Sequence, residues 1–153
     1  MPRSHAALDE QLCFALYRAS RAVSNAYARA LKDHDLTYTQ YLVLLALWEN
    51  NGARVGDLSE VLGLGSNTLS PILRRLEQTG LLIRDHADAD ERVTRLLVTE
   101  LGWQLEQAVQ SARRSVESTT GLTKADFVDL RTRLFKLADN VSANFDSAAS
   151  ADD

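Results

Sequence analysis

A chain of 153 residues with 45% apolar and 25% charged side chains can build one domain with its own core, and no apolar run reaches the roughly 18 residues that span a bilayer. A net charge of −4 weighs against binding nucleic acid by bulk charge, although a local basic strip remains possible. The one cysteine excludes an intramolecular disulfide and the start "MPRSHAALDEQ" turns acidic where a secretory signal turns apolar, so a cytoplasmic protein is expected.

Residues 7–31 carry Leu8, Leu12, Leu16, Ala19, Val23, Ala26, Ala30 and Leu31 at spacings of three and four, which predicts one long amphipathic helix. "HDLTYTQ" breaks it, and Thr37 or Thr39 can cap a second helix, "QYLVLLALWEN", apolar almost all round. "NNGA" stops that helix. "RVGDLSEVLG" follows as a short helix with Val55, Leu58, Val61 and Leu62 facing inward. After the tight link "LGS", residues 66–79 predict a helix with Leu69, Ile72, Leu73 and Leu76 inside and Gly80 as its stop. Proline favours a first helical turn, so "SP" at 70–71 fits a helix start. In a helix begun earlier, Pro71 removes one backbone bond.

The period then changes. "LLIRDH" and "RVTRLLVT" are strand-like runs around the polar tip "ADADE". Thr99 can cap a helix over 100–119, "GLT" breaks it, and 124–146 form another before the fraying tail "DSAASADD". The expected fold is mainly α with a small β-hairpin wing. Residues 40–98 form a winged helix-turn-helix, and the helices over 7–36 and 100–146 serve dimerisation within a single domain spanning 1–153. The apolar faces of the end helices need a partner, which predicts a homodimer with interleaved termini.

The helix over 66–79 turns Asn67, Ser70, Arg74 and Arg75 away from its apolar stripe. Short polar side chains near a helix start can reach base edges in a major groove, and arginines further along can meet phosphate or guanine. A plain solvated face would carry the same residues. Arg92 follows Asp85, Asp88, Asp90 and Glu91 on the hairpin. It can enter a minor groove, its guanidinium held by those carboxylates, or sit on a solvated turn. His5, His34 and His86 lack metal-ligand spacing, "GLG" at 63–65 follows no strand, and no serine has a histidine and an acid beside it. No metal, cofactor or enzymatic role is expected.

Cys13 sits in "EQLCFALY". A lone cysteine among apolar residues is usually a small buried hydrophobe. Yet Tyr17, Tyr27, Tyr38 and Tyr41 are all the tyrosines of the chain. Tyr17 is one turn past Cys13 and can share its face. Tyr27 is fourteen residues on, about 21 Å along a continuous helix, so a contact between it and Cys13 would cross a dimer interface. Hydroxyls that donate to a sulfur favour its thiolate, the form a peroxide oxidises.

"LCFALY", "LTYTQYLVLLALWE", "TLSPILRRLEQTGLLIR" and "DERVTRLLVTELG" together resemble the MarR family of bacterial regulators over nearly the whole chain. More narrowly they resemble its organic-hydroperoxide-sensing repressor branch, OhrR, in the one-cysteine form. The resemblance implies that Cys13 is the sensing thiol, that Tyr27 and Tyr38 hydrogen-bond it from the other subunit, and that Tyr17 lines the same pocket. It implies DNA contact by the helix over 66–79, with Ser66, Asn67, Thr68, Ser70, Arg74 and Arg75, and by Arg92 on the wing. The implied partners are a second copy, a double-stranded pseudo-palindromic operator, an organic hydroperoxide and a low-molecular-weight thiol. Two departures stand out: Gly65 replaces a frequent aspartate before the recognition helix, and no second cysteine is present for an intersubunit disulfide.

The expected function is a repressor that leaves its operator when Cys13 is oxidised. A rival keeps the DNA binding but takes a phenolic or other aromatic ligand as signal, with Cys13 structural. A thiol peroxidase is a third reading, opposed by the lack of a βαβ start.

Overall fold

The structure, a computed structural model, describes residues 7–86 and 94–149. Two compact units divide the chain, Met1–Glu117 and Ser118–Asp153. The first holds α1 (Leu12–Ala30), α2 (Tyr38–Glu49), α3 (Val55–Leu62), α4 (Ser66–Gln78), β1 (Leu82–Asp85), β2 (Arg95–Val98) and most of α5 (Glu100–Thr119), and the second holds α6 (Lys124–Ala149). A mainly helical chain with a small antiparallel hairpin is what the periodicity predicts.

The predicted helix over 7–31 is interrupted. The Glu10 carboxylate accepts from the Ala7 N–H at 3.2 Å, closing a separate turn over Leu8–Glu10. Gln11 is extended, and α1 starts at Leu12. No residue of α1 is buried within the chain, so its apolar stripe meets little of its own protein. α2 is the reverse. Thr37, the first of the two candidate caps, accepts from Gln40 N–H at 3.2 Å, while Gln40 Oε1 accepts from Thr37 N–H at 3.0 Å. This reciprocal box satisfies two otherwise orphaned donors and places Gln40, Tyr41, Val43, Leu44 and Leu47 in the core.

Leu58 of α3 is buried, with Val55 and Leu62 packed at the core's margin. Val61, expected inside, is 74% exposed because Leu62 takes the inward position of the last turn. In α4 the expected stripe holds: Leu69, Leu73 and Leu76 are buried and Ile72 packs against them. The helix starts at Ser66 with Gly65 as N-cap, so Pro71 lies inside it, not at its first position. The proline removes the bond that the Asn67 carbonyl would accept, and burial of Leu69 on the preceding turn favours the earlier start. Gly80 adopts φ +73° and Leu81 N–H donates to Leu76 O at 2.9 Å, the left-handed stop that glycine tolerates best.

β1 and β2 pair antiparallel, Leu82 opposite Val98 and Asp85 opposite Arg95. The segment after α2 adds an unpredicted short third rung: Gly52 N–H donates to Leu96 O and Leu96 N–H to Ala53 O, at 2.9 and 3.0 Å. Asn51 Oδ1 accepts from Val98 N–H at 2.8 Å. α5 has the expected bounds, 100–119, and the expected cap, with Thr99 Oγ1 accepting from Gly102 N–H at 3.1 Å. α6 outruns the expected 146 to reach Ala149, because Ala148 and Ala149 are strong helix formers. None of its leucines, valines or phenylalanines is buried, and Phe135 and Phe145 are 67% and 74% exposed.

Candidate functional site

Two regions gather most of the residues singled out in the sequence. The first is the exposed side of α4. Ser66, Asn67, Thr68, Ser70, Arg74 and Arg75 all lie there, opposite buried Leu69, Leu73 and Leu76. The small polar residues occupy the first turns and the arginines the later ones. Gly65 leaves the N-terminus regular, since Thr68 and Leu69 N–H both reach its carbonyl at 3.0 Å. Arg92 lies outside the described residues. The root of the hairpin is tied to the helix by Arg84, whose Nε donates to Glu77 Oε1 at 3.0 Å. That pair fixes strand against helix, and the sequence reading missed it. Opposite charges seven apart across a glycine stop were the available signal.

The second region is aromatic. Tyr27 of α1 stacks on Tyr38 and Tyr41 of α2, with ring centroids 4.7 and 5.5 Å apart. Tyr41 meets Trp48 edge-on at 6.3 Å. The Trp48 indole N–H donates to Gly102 O at 3.2 Å. Tyr41 and Trp48 were not among the expected site residues. Their seven-residue spacing, two turns of one face, was the signal that could have placed them.

Burial is the main cause that pushes the Tyr27 phenol up to about 12, with Tyr41, Tyr38 and Glu117 adding to it and Arg113 opposing. Burial also raises Tyr38 and Tyr41. The hydroxyls therefore stay protonated at neutral pH and remain donors. Arg113 Nε donates to Glu117 Oε1 at 2.9 Å on α5, beside this cluster, and holds an ion pair next to the phenols.

Cys13 is the second residue of α1 and is exposed, with its Sγ donating to Gln11 Oε1 at 3.4 Å. The reading as a buried hydrophobe therefore fails within one chain. Tyr17, one turn on, is 56% exposed, and its hydroxyl accepts from Arg21 Nη1 at 3.3 Å. α1 runs unbroken from Leu12 to Ala30, so Cys13 and Tyr27 stand about 21 Å apart along it. The structure unites Tyr27 with Tyr38 and leaves Cys13 and Tyr17 together at the other end of the same helix. Among the described residues no cluster has the composition of a metal site, and no helix is long and apolar enough to cross a membrane.

Residues 25–109 match the family model described as "Transcriptional regulator SarA/Rot". The HTH-type transcriptional regulator TtmR of Methylorubrum extorquens is 40% identical over 136 residues, which is 89% of this chain and 70% of TtmR. The organic hydroperoxide resistance transcriptional regulator of Bacillus subtilis is 35% identical over 137 residues, 90% of this chain and 93% of that protein. Among solved structures, reduced AbfR bound to DNA superposes with a TM-score of 0.76 at 35% identity, covering 89% of this chain and 93% of AbfR. AbfR, a protein of Staphylococcus epidermidis, is also known in an overoxidised form bound to DNA and in a disulfide form.

Proposed function

The chain belongs to the SarA/MarR-type winged-helix transcriptional regulators, and from that premise we propose that it is a cytoplasmic homodimeric repressor released from a pseudo-palindromic operator when an organic hydroperoxide oxidises Cys13. One observation carries the reading. The lone thiol is exposed at one end of α1, while the stacked tyrosines at the other end are beyond its reach in the same chain. A second copy laid antiparallel along α1 would bring each Cys13 to the partner's aromatic cluster and cover both apolar stripes.

The chemistry follows from the groups. The Cys13 thiolate attacks the terminal oxygen of the hydroperoxide, and an S–O bond forms as the O–O bond breaks. The departing alkoxide takes a proton and leaves as an alcohol, and the sulfur is now a sulfenic acid. A small thiol then attacks that sulfur, water leaves, and a mixed disulfide remains. The chain has no second cysteine to do this internally. The relatives' peroxide and redox descriptions support this signal. That an overoxidised AbfR is described on DNA favours added bulk over added charge as the releasing change. Bulk between the tyrosines would shift α1 against α2, and the two recognition helices would lose their spacing of about one DNA turn.

The test is operator binding by Cys13→Ser, with and without cumene hydroperoxide and free cysteine. The expected result is unchanged binding that no longer responds to oxidant. A Cys13→Ser protein still released by hydroperoxide would overturn the reading, and release by an aromatic acid instead would put the signal at a ligand pocket.

A further inference from the structure

The aromatic cluster does not end at the sensing tyrosines. Tyr38, Tyr27, Tyr41 and Trp48 form a continuous run, each ring within 4.7–6.3 Å of the next. The run closes on backbone, since Trp48 Nε1 donates to Gly102 O at 3.2 Å.

Gly102 sits at a junction. A Cβ built there would collide with Leu81 O and lie 2.6 Å from Val98 Cγ1, so α5 is pressed against both roots of the hairpin. Leu81 carries the rest of the junction. Its carbonyl accepts from Thr99 N–H at 3.1 Å, and its own N–H donates to Leu76 O, in the last turn of α4, at 2.9 Å. The recognition helix, β1, β2 and the start of α5 thus meet within two residues of the group that Trp48 holds. Dense packing of this kind transmits displacement, because the neighbours cannot absorb it.

We infer that Trp48 is the positioning residue that joins the sensing tyrosines to the root of the wing. It touches neither oxidant nor DNA. A shift of Tyr27 or Tyr38, when the sulfur that the proposed reading brings to them from a second copy is modified, tilts Tyr41 and moves the indole. The hydrogen bond to Gly102 then draws α5 and the strand roots relative to α4. The inference rests on the proposed redox reading for its signal, but the coupling belongs to the fold and can be tested without that signal.

Trp48→Phe keeps a ring against Tyr41 and deletes the donor to Gly102 O. The probe is a duplex selected from random sequence by the reduced wild-type protein, and the oxidant is cumene hydroperoxide with free cysteine. Wild type should lose about tenfold or more in affinity on oxidation, within the usual range of allosteric coupling. Trp48→Phe should bind within about twofold of wild type when reduced and lose less than about threefold when oxidised. Equal release by both proteins overturns the inference while leaving the redox reading intact. Emission gives a second readout. With Trp103→Phe, Trp48 is the one indole left, and its spectrum should change when Cys13 is modified; an unchanged spectrum counts against the relay. If Trp48→Phe fails to fold, Tyr41→Leu interrupts the run one ring earlier and should uncouple in the same way. If oxidation releases not even the wild type, the redox reading fails. The relay is then decided by a cycle of Tyr27→Leu and Trp48→Phe on reduced DNA affinity. Non-additive effects keep it, and strictly additive ones sink it.

Discussion

The middle of the chain and its two ends use the same kind of apolar pattern with opposite results. From α2 to β2 the pattern is consumed inside one chain: Val43, Leu44, Leu47, Leu69, Leu73 and Leu96 are fully buried. On α1 and α6 leucines, valines and phenylalanines recur at helical spacing, yet none is buried. An amphipathic helix is stable only when its stripe is covered. The difference therefore separates the part of the fold that one chain completes from the helices we propose as the seam with a second copy. Cys13 lies on one of these uncovered helices, so under the proposed reading an event at the sulfur is an event at the interface.

The largest effect should come from breaking the ends. Phe135→Asp with Phe145→Asp removes two of the most exposed rings of α6. Each is worth about 1.5–3 kcal/mol when buried, on each protomer. Sedimentation should show wild type at about twice 16.9 kDa and the variant near the monomer mass. A variant that remains a dimer would put the interface elsewhere. Next in size, and confined to the middle, is Gly102→Ala. Its Cβ has no room against Leu81 O and Val98, and overpacking of this kind costs about 1–3 kcal/mol. Urea unfolding should give a cost that does not vary with protein concentration, whereas the cost of the α6 variant should. A neutral Gly102→Ala would mean the junction yields, and would weaken the case for transmission through it.

The proposed DNA contacts sharpen the comparison differently, because those on α4 belong to the middle but are exposed. Arg74→Ala and Arg92→Ala should each weaken operator binding by about 1–3 kcal/mol and leave dimerisation intact. Fluorescence polarisation at several salt concentrations measures the first, and sedimentation the second. Unchanged affinity for either variant would make that arginine part of a solvated surface.

How far the sequence shows these features follows the same division. α4 and α5 are legible because their period and stops are local: Gly80 ends one and Thr99 caps the other. The interruption at Gln11 is not legible, because it depends on a single carboxylate, Glu10, turning back on Ala7. Val61 was misplaced since an eight-residue helix gives too few turns to fix its phase. At the site, the tyrosines are conspicuous by number. Their link to the wing is not, because the Trp48–Gly102 bond spans 54 residues of sequence. The distinction between an exposed and a buried Cys13 also lies outside periodicity, since it depends on what covers α1.

The smallest predicted effect concerns Tyr27, which ties an end helix to the middle. Its phenol is held near 12 against an ordinary value of 10.0, first by burial and then by Tyr41, Tyr38 and Glu117. The folded protein thus keeps this proton in a range where the unfolded chain has lost it. Stability that is fully present below pH 10 must fall as pH rises from about 10 to about 12, because the unfolded state then binds fewer protons. The slope should be less than the roughly 1.4 kcal/mol per pH unit of one fully coupled proton, since Tyr27 is only half-buried and solvent screens part of its surroundings. Tyr27→Phe removes the titrating group and keeps the ring stacked on Tyr38 and Tyr41. Its unfolding free energy should decline less than that of wild type between pH 10 and 12, and the two proteins should differ by a constant amount below pH 9. Identical alkaline slopes would place the Tyr27 hydroxyl in water, and the stack would then join α1 to α2 by ring packing without a buried donor for the sulfur.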